Sequence, residues 1–388
     1  MKTNLLGRLF SPEHSGKWRM PTGTYWLIRA FHSLRPLLFH LSGLETRLLG
    51  KELDGITIDR PIFICGIARS GTTITLEMLH HHPDAACHLY YHAPLPHLPV
   101  WWDRTVTFLP LPISKPVERL HRDGLLVNQK SPDAIEERLW MDFFPDLHDE
   151  QHSNVLSENH RNERFEAFYR DHIRKLLYRQ DGKRYLTKNN YNITRLEYLL
   201  KLFPDARFLL LVRDPADHIA SLMKQHRLFT ALELGQPGLS KWLNIVGHYE
   251  FGTSIQLINT GEAGAVDHIR DLWSRRKYVQ GWAAYWASIY HFVADRLERN
   301  PALAAASLIV RYEDLCADSG GAIDRILSHT GLPAETFSAV RERYVRRLQP
   351  PRYYKPDFSR NDLNDIRMIT QSAARRCGYD RPASCSPP

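Results

Sequence analysis

Four short segments of the chain are predicted to be buried strands, and amphipathic segments separate them. The strands cover residues 62–65, 184–188, 206–212 and 307–312, and the first and third are almost continuously apolar. Such runs are typical of a parallel sheet that is covered on both faces. Between the strands, apolar residues recur at helical spacing. The helices are predicted at 72–82, 134–144, 158–178, 194–203, 215–225, 272–299 and 320–330.

This alternation predicts an α/β fold, a doubly wound parallel sheet with helical insertions. We assign residues 56–388 to one such domain and residues 1–55 to an N-terminal helical extension. The Pro-rich, aromatic segment 92–116 is predicted to be mostly loop. The weakly patterned segment 230–270 is predicted to be an insertion.

Residues 24–50 carry apolar side chains at helical spacing beside Arg29 and Arg35. Such a helix is a candidate for peripheral membrane contact, although we favour packing on the domain. The sequence has no run of about 20 apolar residues, so no spanning helix is predicted. Because the N-terminus also lacks the order of a signal peptide, we expect a cytoplasmic protein.

The composition indicates a basic surface. Lys and Arg number 51 and Asp and Glu 43 in 388 residues, which gives a net charge of +8. A basic balance suits anionic small molecules, acidic acceptors or membrane phosphates. The five cysteines are scattered and show no C-x-x-C spacing, so neither a zinc site nor a disulfide framework is predicted.

The first predicted strand leads into a turn bracketed by Gly66 and Gly71, and a helix opens at Thr72. Free N–H groups at a helix start bind phosphate, and the glycines let the backbone fold around an anion. The glycine spacing is that of the Walker A loop G-x-x-x-x-G-K-[ST], but Thr72 stands where that loop has its lysine. We therefore predict a ligand with a 5′-phosphate end and no triphosphate.

Three further polar residues follow the other predicted strands: Lys188, Arg213 and Tyr312. Ligands of doubly wound sheets bind outside the carboxyl ends of the strands, so these residues are predicted to meet the loop. Taken alone, Arg213 suggests an ion pair with Asp214 or a nearby aspartate, and Ser221 suggests an exposed helix serine. Their joint spacing after an independent phosphate loop favours a ligand site.

These motifs resemble those of sulfotransferases that use 3′-phosphoadenosine 5′-phosphosulfate, a family with a P-loop-like fold. Residues 68–73 resemble the 5′-phosphosulfate loop x-[RK]-S-G-T-[TS], and residues 213–221 resemble the 3′-phosphate motif. Residues 311–315 resemble the family's Tyr-Glu-Asp-Leu element, and residues 350–357 resemble a short segment of tyrosylprotein sulfotransferases. The resemblance covers residues 60–380, and it is closest in character to the bacterial-type and tyrosylprotein enzymes.

The resemblance implies that 3′-phosphoadenosine 5′-phosphosulfate is the co-substrate and that no metal is required, since fixed positive charges replace Mg²⁺. Arg69 and Lys188 are implied to be catalytic, with Lys188 steadying the leaving 5′-phosphate. The implied donor-binding residues are Arg69, Ser70, Gly71, Thr72, Thr73, Lys188, Arg213, Ser221 and Tyr312.

The motifs do not assign the general base, because this chain has different residues at two positions that provide the base in the enzymes it resembles. Asn190 replaces the histidine of cytosolic enzymes, and an amide cannot accept a proton. No carboxylate directly follows the segment 82–84, where tyrosylprotein enzymes have a glutamate pair. We predict Glu137 as the first candidate and His121 as the second. The alternative for Glu137 is a solvated glutamate near a helix start.

The remaining histidines that we considered, His88 and His92, are weaker candidates for the base. The predicted reaction is sulfuryl transfer to an acceptor hydroxyl or amine of a small molecule, glycan or lipid, with no nucleic-acid partner. Tyr90, Tyr91, Trp101 and Trp102 could line an acceptor pocket, although local packing is the favoured interpretation.

Two alternative functions stay open. One is a P-loop kinase or phosphotransferase, which would need a lysine at position 72 and an aspartate at the end of an apolar strand. The other is a non-catalytic nucleotide-binding module. Neither the acceptor nor the oligomeric state can be predicted from the sequence.

Overall fold

A five-stranded parallel sheet lies at the centre of the protein in the computed structural model, which describes residues 26, 29–30, 32–109, 113, 115–236, 238–350 and 356–379. The strand order is β2–β5–β1–β6–β7. The bounds of these strands are β1 Ile62–Cys65, β2 Ala85–Ala86, β5 Arg184–Lys188, β6 Arg207–Val212 and β7 Ser307–Arg311. A separate antiparallel hairpin is formed by β3 Val117–Glu118 and β4 Leu126–Val127. The predicted doubly wound parallel sheet is confirmed.

Helices and short helical turns connect the strands and cover both faces of the sheet. The 3₁₀ turns are Tyr90–His92, Asn190–Thr194 and Glu335–Phe337. The α-helices are α1 Arg35–Leu48, α2 Gly50–Asp54, α3 Thr72–His80, α4 Pro99–Phe108, α5 Glu137–Phe143, α6 Glu163–Gln180, α7 Leu196–Leu202, α8 Pro215–Gly235, α9 Leu239–Ile245, α10 Ala265–Ser274, α11 Tyr278–Arg299, α12 Pro301–Ala306, α13 Tyr312–Ala317, α14 Ser319–Thr330, α15 Ser338–Arg347 and α16 Arg360–Arg376.

The side chains of β1 alternate between two hydrophobic cores. Phe63 and Cys65 belong to the larger core, and Ile62 and Ile64 belong to the core on the opposite face. All four residues of the strand are buried. This is the reason for the continuous apolar run, because a strand with both faces covered has no polar side to show.

The register of β1 sets the position of the functional edge. Ile64 pairs with Lys188 at the end of β5 and with Leu209 of β6. The loop after β1, Lys188 and the residue after β6 therefore lie along the same edge of the sheet, as predicted from parallel topology.

The segment 92–116 differs from its prediction as mostly loop. Helix α4 covers Pro99–Phe108 and contains both Trp101 and Trp102. Pro99 lies in the first turn, where a helix needs no N–H donor, so the proline permits the helix instead of ending it. The Trp102 Nε1–H donates to the Tyr91 carbonyl at 2.6 Å, which fits local packing of these aromatic residues.

Three helix boundaries also differ from their predictions. The segment 272–299 contains parts of two helices, because the helical conformation is interrupted between Ser274 and Tyr278, where Arg276 has a φ of 60°. Helix α8 runs on to Gly235, so it enters the segment 230–270, which also holds α9 and most of α10. Helix α5 begins at Glu137 and not at residue 134. These ends depend on packing that a local pattern does not contain.

The N-terminal helix α1 packs against the domain through a buried ion pair. Lys175 Nζ lies 3.1 Å from Glu45 Oε2, and Glu45 Oε1 accepts the Trp101 backbone N–H at 2.6 Å. Residues 1–25, the segment 351–355 that we compared with tyrosylprotein enzymes, and the end of the chain lie outside the described residues. None of the described helices has the length and apolar character needed to cross a membrane.

Candidate functional site

The loop after β1 leaves no room for a side chain at its two glycines. Gly66 has a φ of 152°, and a Cβ there would lie 2.6 Å from the Leu211 carbonyl oxygen. Gly71 has a φ of 101°, and a Cβ there would lie 2.7 Å from Cδ2 of Tyr312. Glycine is therefore required at both positions by conformation and by space. Ser70 is fully buried inside this loop, and Thr72 begins α3.

His218 of α8 holds the carbonyl of Ala68 at the start of the loop. The Trp286 Nε1–H donates to His218 Nδ1 at 3.1 Å, so His218 carries its proton on Nε2 and donates to the Ala68 oxygen at 2.9 Å. Burial lowers the pKa of His218 to about 3, which keeps the ring neutral. The sequence did not single out this residue, because its partners are distant along the chain.

Arg69 connects the loop with α8 and with the β3–β4 hairpin. Its Nε–H donates to Ser221 Oγ at 3.2 Å, and its Nη1 lies 2.5 Å from Asp123 Oδ2. Arg119 also binds Asp123, through its Nε at 3.0 Å. Although burial would raise the pKa of Asp123, the two guanidinium groups hold it far below its usual range. Ser221 is 3% exposed, which rules out the exposed helix serine that we considered.

Arg213 lies directly after β6 and is buried, and none of the described residues gives it an anionic partner. It makes no ion pair or hydrogen bond with any residue that the structure describes, and its Nε is buried without an acceptor. Its guanidinium carbon lies 5.0 Å from the centre of the Tyr312 ring, a cation–π contact. Buried cations are normally paired, so a site of this kind fits an anionic ligand.

Lys188 at the end of β5 lines the cavity beside this loop. Burial lowers the pKa of its amine, while Glu250 and Asp133 act in the opposite direction. Burial alone would raise the pKa of Glu250, but His248 and Lys188 outweigh it and lower that pKa. At the edge of the sheet, the partly buried amine of Lys188 is therefore under the electrostatic influence of two carboxylates. The sequence pattern gave no signal for Glu250.

Asn190 has a structural role at the position where cytosolic relatives have histidine. Its Nδ2 donates to Glu250 Oε1 at 2.8 Å, and its Oδ1 lies 3.5 Å from Thr72 Oγ1. The amide thus connects the first turn of α3 with Glu250. It offers no group that can take a proton.

Both carboxylate oxygens of Glu137 already have hydrogen-bond partners in the protein. Arg195 binds both carboxylate oxygens, at 2.7 and 2.8 Å, while His148 lies 2.6 Å from Oε1 and Asn189 donates to Oε2 at 2.6 Å. Burial would raise the pKa of Glu137, but Arg195 and His148 lower it to about 2. Both Glu136 and Glu137 are buried, so neither is the solvated glutamate of the alternative interpretation.

His121 lies in the β3–β4 hairpin and lines the same cavity. The Gln225 Nε2–H donates to the His121 carbonyl at 2.8 Å, which turns Gln225 Oε1 towards Nδ1 at 3.2 Å. Nδ1 must therefore carry the proton, and Nε2 keeps its lone pair. Burial and Arg119 hold the pKa of His121 well below its ordinary value. The ring is thus a neutral proton acceptor at the cavity wall.

The two weaker histidine candidates lie elsewhere. His88 Nε2 is 2.9 Å from His172 Nε2, and His92 Nε2 is 3.0 Å from Asp103 Oδ1, and both histidines are buried. Neither belongs to the cavity lining. Tyr90 does line the cavity.

A cavity of about 350 Å³ lies between the loop after β1, the β3–β4 hairpin and the α8–α9 region. Arg69, Thr72, Thr73 and Lys188 form its charged and polar end. The predicted residues Arg213, Ser221 and Tyr312 lie behind that end, joined to it through Arg69 and Gly71. The described residues contain no group of three or more His, Cys, Asp or Glu positioned to hold a metal ion.

Comparison with known proteins gives a family match over part of the chain and a similar fold. Residues 61–249 match the model of the sulfotransferase family. The structure of sulfotransferase STF9 from Mycobacterium avium is 14% identical and covers 88% of this chain and 83% of its own, with a TM-score of 0.52. Sulfotransferase STF1 from Mycobacterium tuberculosis is 16% identical over 87% of this chain and 81% of its own, with a TM-score of 0.47. No curated protein matches the chain. At this identity, the similarity to STF9 shows the fold alone.

Proposed function

We propose that this protein, whose residues 61–249 match the model of the sulfotransferase family, transfers a sulfuryl group from 3′-phosphoadenosine 5′-phosphosulfate to an acceptor hydroxyl. The family match supports sulfuryl transfer, and the particular donor is our inference. The observation that carries this inference is the buried Arg213, which has no anionic partner in the part of the chain that the structure describes and lies behind a phosphate-binding loop without lysine. A donor with a second phosphate remote from its 5′ end supplies the missing anion.

The residues at the sheet edge suit the two ends of this donor. The loop N–H groups, Arg69 and Lys188 would bind the 5′-phosphosulfate, where backbone donors and fixed cations favour spread negative charge. Arg213 would bind the 3′-phosphate through its planar guanidinium, with the Ser221 hydroxyl beside it. Tyr312 already makes a cation–π contact with the guanidinium group of Arg213.

We propose His121 as the general base, in preference to Glu137. A useful base needs an available lone pair close to the reacting group. Both oxygens of Glu137 are occupied by Arg195, His148 and Asn189, whereas the Nε2 of His121 is left as an acceptor. Glu137 then acts as a structural anion that anchors α5.

In the proposed reaction the acceptor oxygen forms a bond to sulfur, and the bond between sulfur and the bridging oxygen breaks. The hydroxyl proton passes to His121 Nε2, and the electron pair of the broken bond stays on the 5′-phosphate. The products are a sulfate ester and 3′,5′-adenosine bisphosphate. Positive charge from Arg69 and Lys188 would stabilise the leaving phosphate as its charge grows.

Thermal unfolding with the product nucleotide tests this proposal. We expect 3′,5′-adenosine bisphosphate to raise the melting temperature in the presence of EDTA, because Arg69, Lys188 and Arg213 already supply the positive charge. ATP with Mg²⁺ should have little effect, since Thr72 replaces the lysine that reaches a γ-phosphate. Stabilisation by ATP with Mg²⁺ alone would favour a kinase and contradict the proposal.

A further inference from the structure

Away from its charged end, the cavity has two apolar walls. The first is the β3–β4 hairpin, in which Val117 and Val127 are cross-strand partners and both line the cavity, together with Leu120. Directly paired residues of an antiparallel hairpin lie on the same face, so the two valines form one continuous surface. The salt bridges of Asp123 to Arg69 and Arg119 fix this hairpin next to the donor loop.

The second wall comes from the end of α8, from α9 and from the segment that follows. Its lining side chains are Phe229, Trp242, Leu243, Val246 and Phe251. The segment packs closely on α5, since a Cβ at Gly247 would lie 2.7 Å from Cγ of Glu137. The sequence has only a weak pattern over residues 230–270, and in the structure part of this segment forms a wall of the cavity.

The His121 ring lies where the second wall meets the donor end. It is 5.0 Å from the Phe229 ring, 5.5 Å from the His248 ring and 6.4 Å from the Phe251 ring, measured between centres. A hydroxyl that reaches Nε2 of His121 therefore brings the rest of its molecule against aromatic and aliphatic side chains. Burial of an apolar body there is favourable.

Several charged groups that line the cavity are already engaged by other parts of the protein. Glu137 is held by Arg195, and Glu250 accepts a hydrogen bond from Asn190. Arg138 is only 3% exposed and donates through Nη1 to the carbonyls of Ala93 and Pro94, while its Nε and Nη2 are buried without a hydrogen-bond partner among the described residues. A charged group of the acceptor that lies against the two apolar walls would lose its hydration without gaining an opposite charge there, which is costly.

We infer that the acceptor is a small uncharged alcohol or phenol with an apolar body, an inference that rests on the proposed sulfuryl transfer. A cavity of about 350 Å³ is at the lower end of the range for small-molecule sites. It also has to receive the sulfuryl end of the donor. A sugar would place several hydroxyl groups against apolar side chains, and each unpaired hydroxyl carries a desolvation cost.

Matched phenols test this inference. The acceptors are 4-ethylphenol, which is neutral, tyramine, which is cationic, and 4-hydroxyphenylacetate, which is anionic, with glucose as a polyhydroxyl compound. Transfer of ³⁵S from the labelled donor is measured for each. We expect kcat/KM for 4-ethylphenol to exceed the values for the two charged phenols on the order of 100-fold, because burial of an unpaired charge is avoided.

Variants of the walls connect the preference with the cavity. Trp242→Ala should raise KM for 4-ethylphenol about tenfold through loss of buried aromatic area. Val127→Thr places a hydroxyl in the other wall and should also raise KM for 4-ethylphenol. The control is Leu234→Ala on α8, a residue that is 76% exposed and should leave KM unchanged. Unchanged binding of 3′,5′-adenosine bisphosphate shows that each variant is folded.

The outcomes separate this inference from the proposed function. Preference for glucose or for a charged phenol, with the product nucleotide still bound, would overturn the acceptor class and leave sulfuryl transfer standing. Binding of the nucleotide with no transfer to 4-ethylphenol would also overturn the acceptor class. Failure to bind the nucleotide and to transfer label to any acceptor would contradict the proposed function itself.

Discussion

Gln225 contacts His121 twice, once at the backbone and once at the ring. Its Nε2–H donates to the His121 carbonyl at 2.8 Å, and its Oε1 accepts from Nδ1 at 3.2 Å. The first bond fixes the orientation of the amide, and the second fixes the tautomer of the imidazole. Gln225 is therefore a positioning residue that keeps the lone pair of His121 on Nε2.

Substitution of Gln225 should change the pH dependence of the reaction. In Gln225→Glu, a carboxylate beside Nδ1 stabilises the imidazolium, so the acidic limb of kcat/KM should move to higher pH. In Gln225→Leu, loss of the tautomer control should lower kcat about tenfold to 100-fold. Profiles of kcat/KM against pH measure both effects. An acidic limb that stays in place in Gln225→Glu would show that the contact is only structural.

His121 should define the acidic limb of the natural protein. Burial and Arg119 lower its pKa from the ordinary value of 6.5, so the neutral form prevails at neutral pH. We expect kcat/KM to be constant from pH 8 down to neutrality and to fall only below pH 6.5, as His121 is protonated. In the pH profile of kcat, the acidic limb should lie at higher pH than in that of kcat/KM, because the negative charge of the bound donor raises the pKa of His121.

His121→Asn should lower kcat by roughly 10²–10⁴ without weakening nucleotide binding. Asparagine keeps much of the shape of the ring but cannot accept the proton. Measured turnover close to that of the natural protein would exclude His121 as the base and direct attention to Asp133, a cavity carboxyl whose pKa is raised by burial.

Arg213→Ala should weaken binding of 3′,5′-adenosine bisphosphate about 10-fold to 100-fold, which is the usual contribution of a charge-assisted hydrogen bond. The fold should be retained, because Arg213 has no ion pair with any described residue that its loss would break. Isothermal titration calorimetry measures the Kd. Arg341→Ala, which removes an exposed pair with Asp324, is the matched control and should bind normally. Equal affinity in both variants would contradict the assignment of Arg213.

Glu137→Gln should reduce stability more than it affects the chemical step. The pKa of Glu137 is about 2 in the folded state and ordinarily 4.5. The ionised carboxylate therefore contributes about 3 kcal/mol to the free energy of unfolding, and this contribution is complete above pH 4.5. That contribution is lost as pH falls through about 2. At neutral pH the variant leaves Arg195 without its anion, and we expect a loss of about 3–5 kcal/mol in the free energy of unfolding.

Denaturant unfolding of Glu137→Gln checks this expectation. Glu342→Gln, an exposed glutamate of α15, is the control and should change the free energy of unfolding by less than about 0.5 kcal/mol. If Glu137→Gln retains full stability and loses turnover, Glu137 is the base after all. That result would restore Glu137 as the first candidate, as predicted from the sequence.

The fold and the cationic edge of the site were predictable because they depend on short-range patterns. Continuous apolar runs identified β1 and β6, and parallel topology then placed Lys188 and Arg213 at one edge. The close spacing of Gly66 and Gly71 identified the loop. None of these inferences needs knowledge of a distant contact.

The residues that were missed depend on contacts between distant segments. Gln225 lies 104 positions from His121, and His218 lies 150 positions from Ala68. Glu137 looked available in sequence because nothing nearby indicates that Arg195, 58 positions away, occupies both of its oxygens. Such pairings are decided by tertiary packing, so a single sequence gives no local signal for them.

Transfer of labelled sulfate tests the central claim most directly. The protein is incubated in EDTA with ³⁵S-labelled 3′-phosphoadenosine 5′-phosphosulfate and the four acceptors together, and labelled product and released 3′,5′-adenosine bisphosphate are quantified. We predict equal amounts of both products, with strongly reduced formation in His121→Asn and Arg213→Ala. Release of neither product together with failure of the natural protein to bind 3′,5′-adenosine bisphosphate, or equal release by Arg213→Ala, would contradict sulfuryl transfer from this donor.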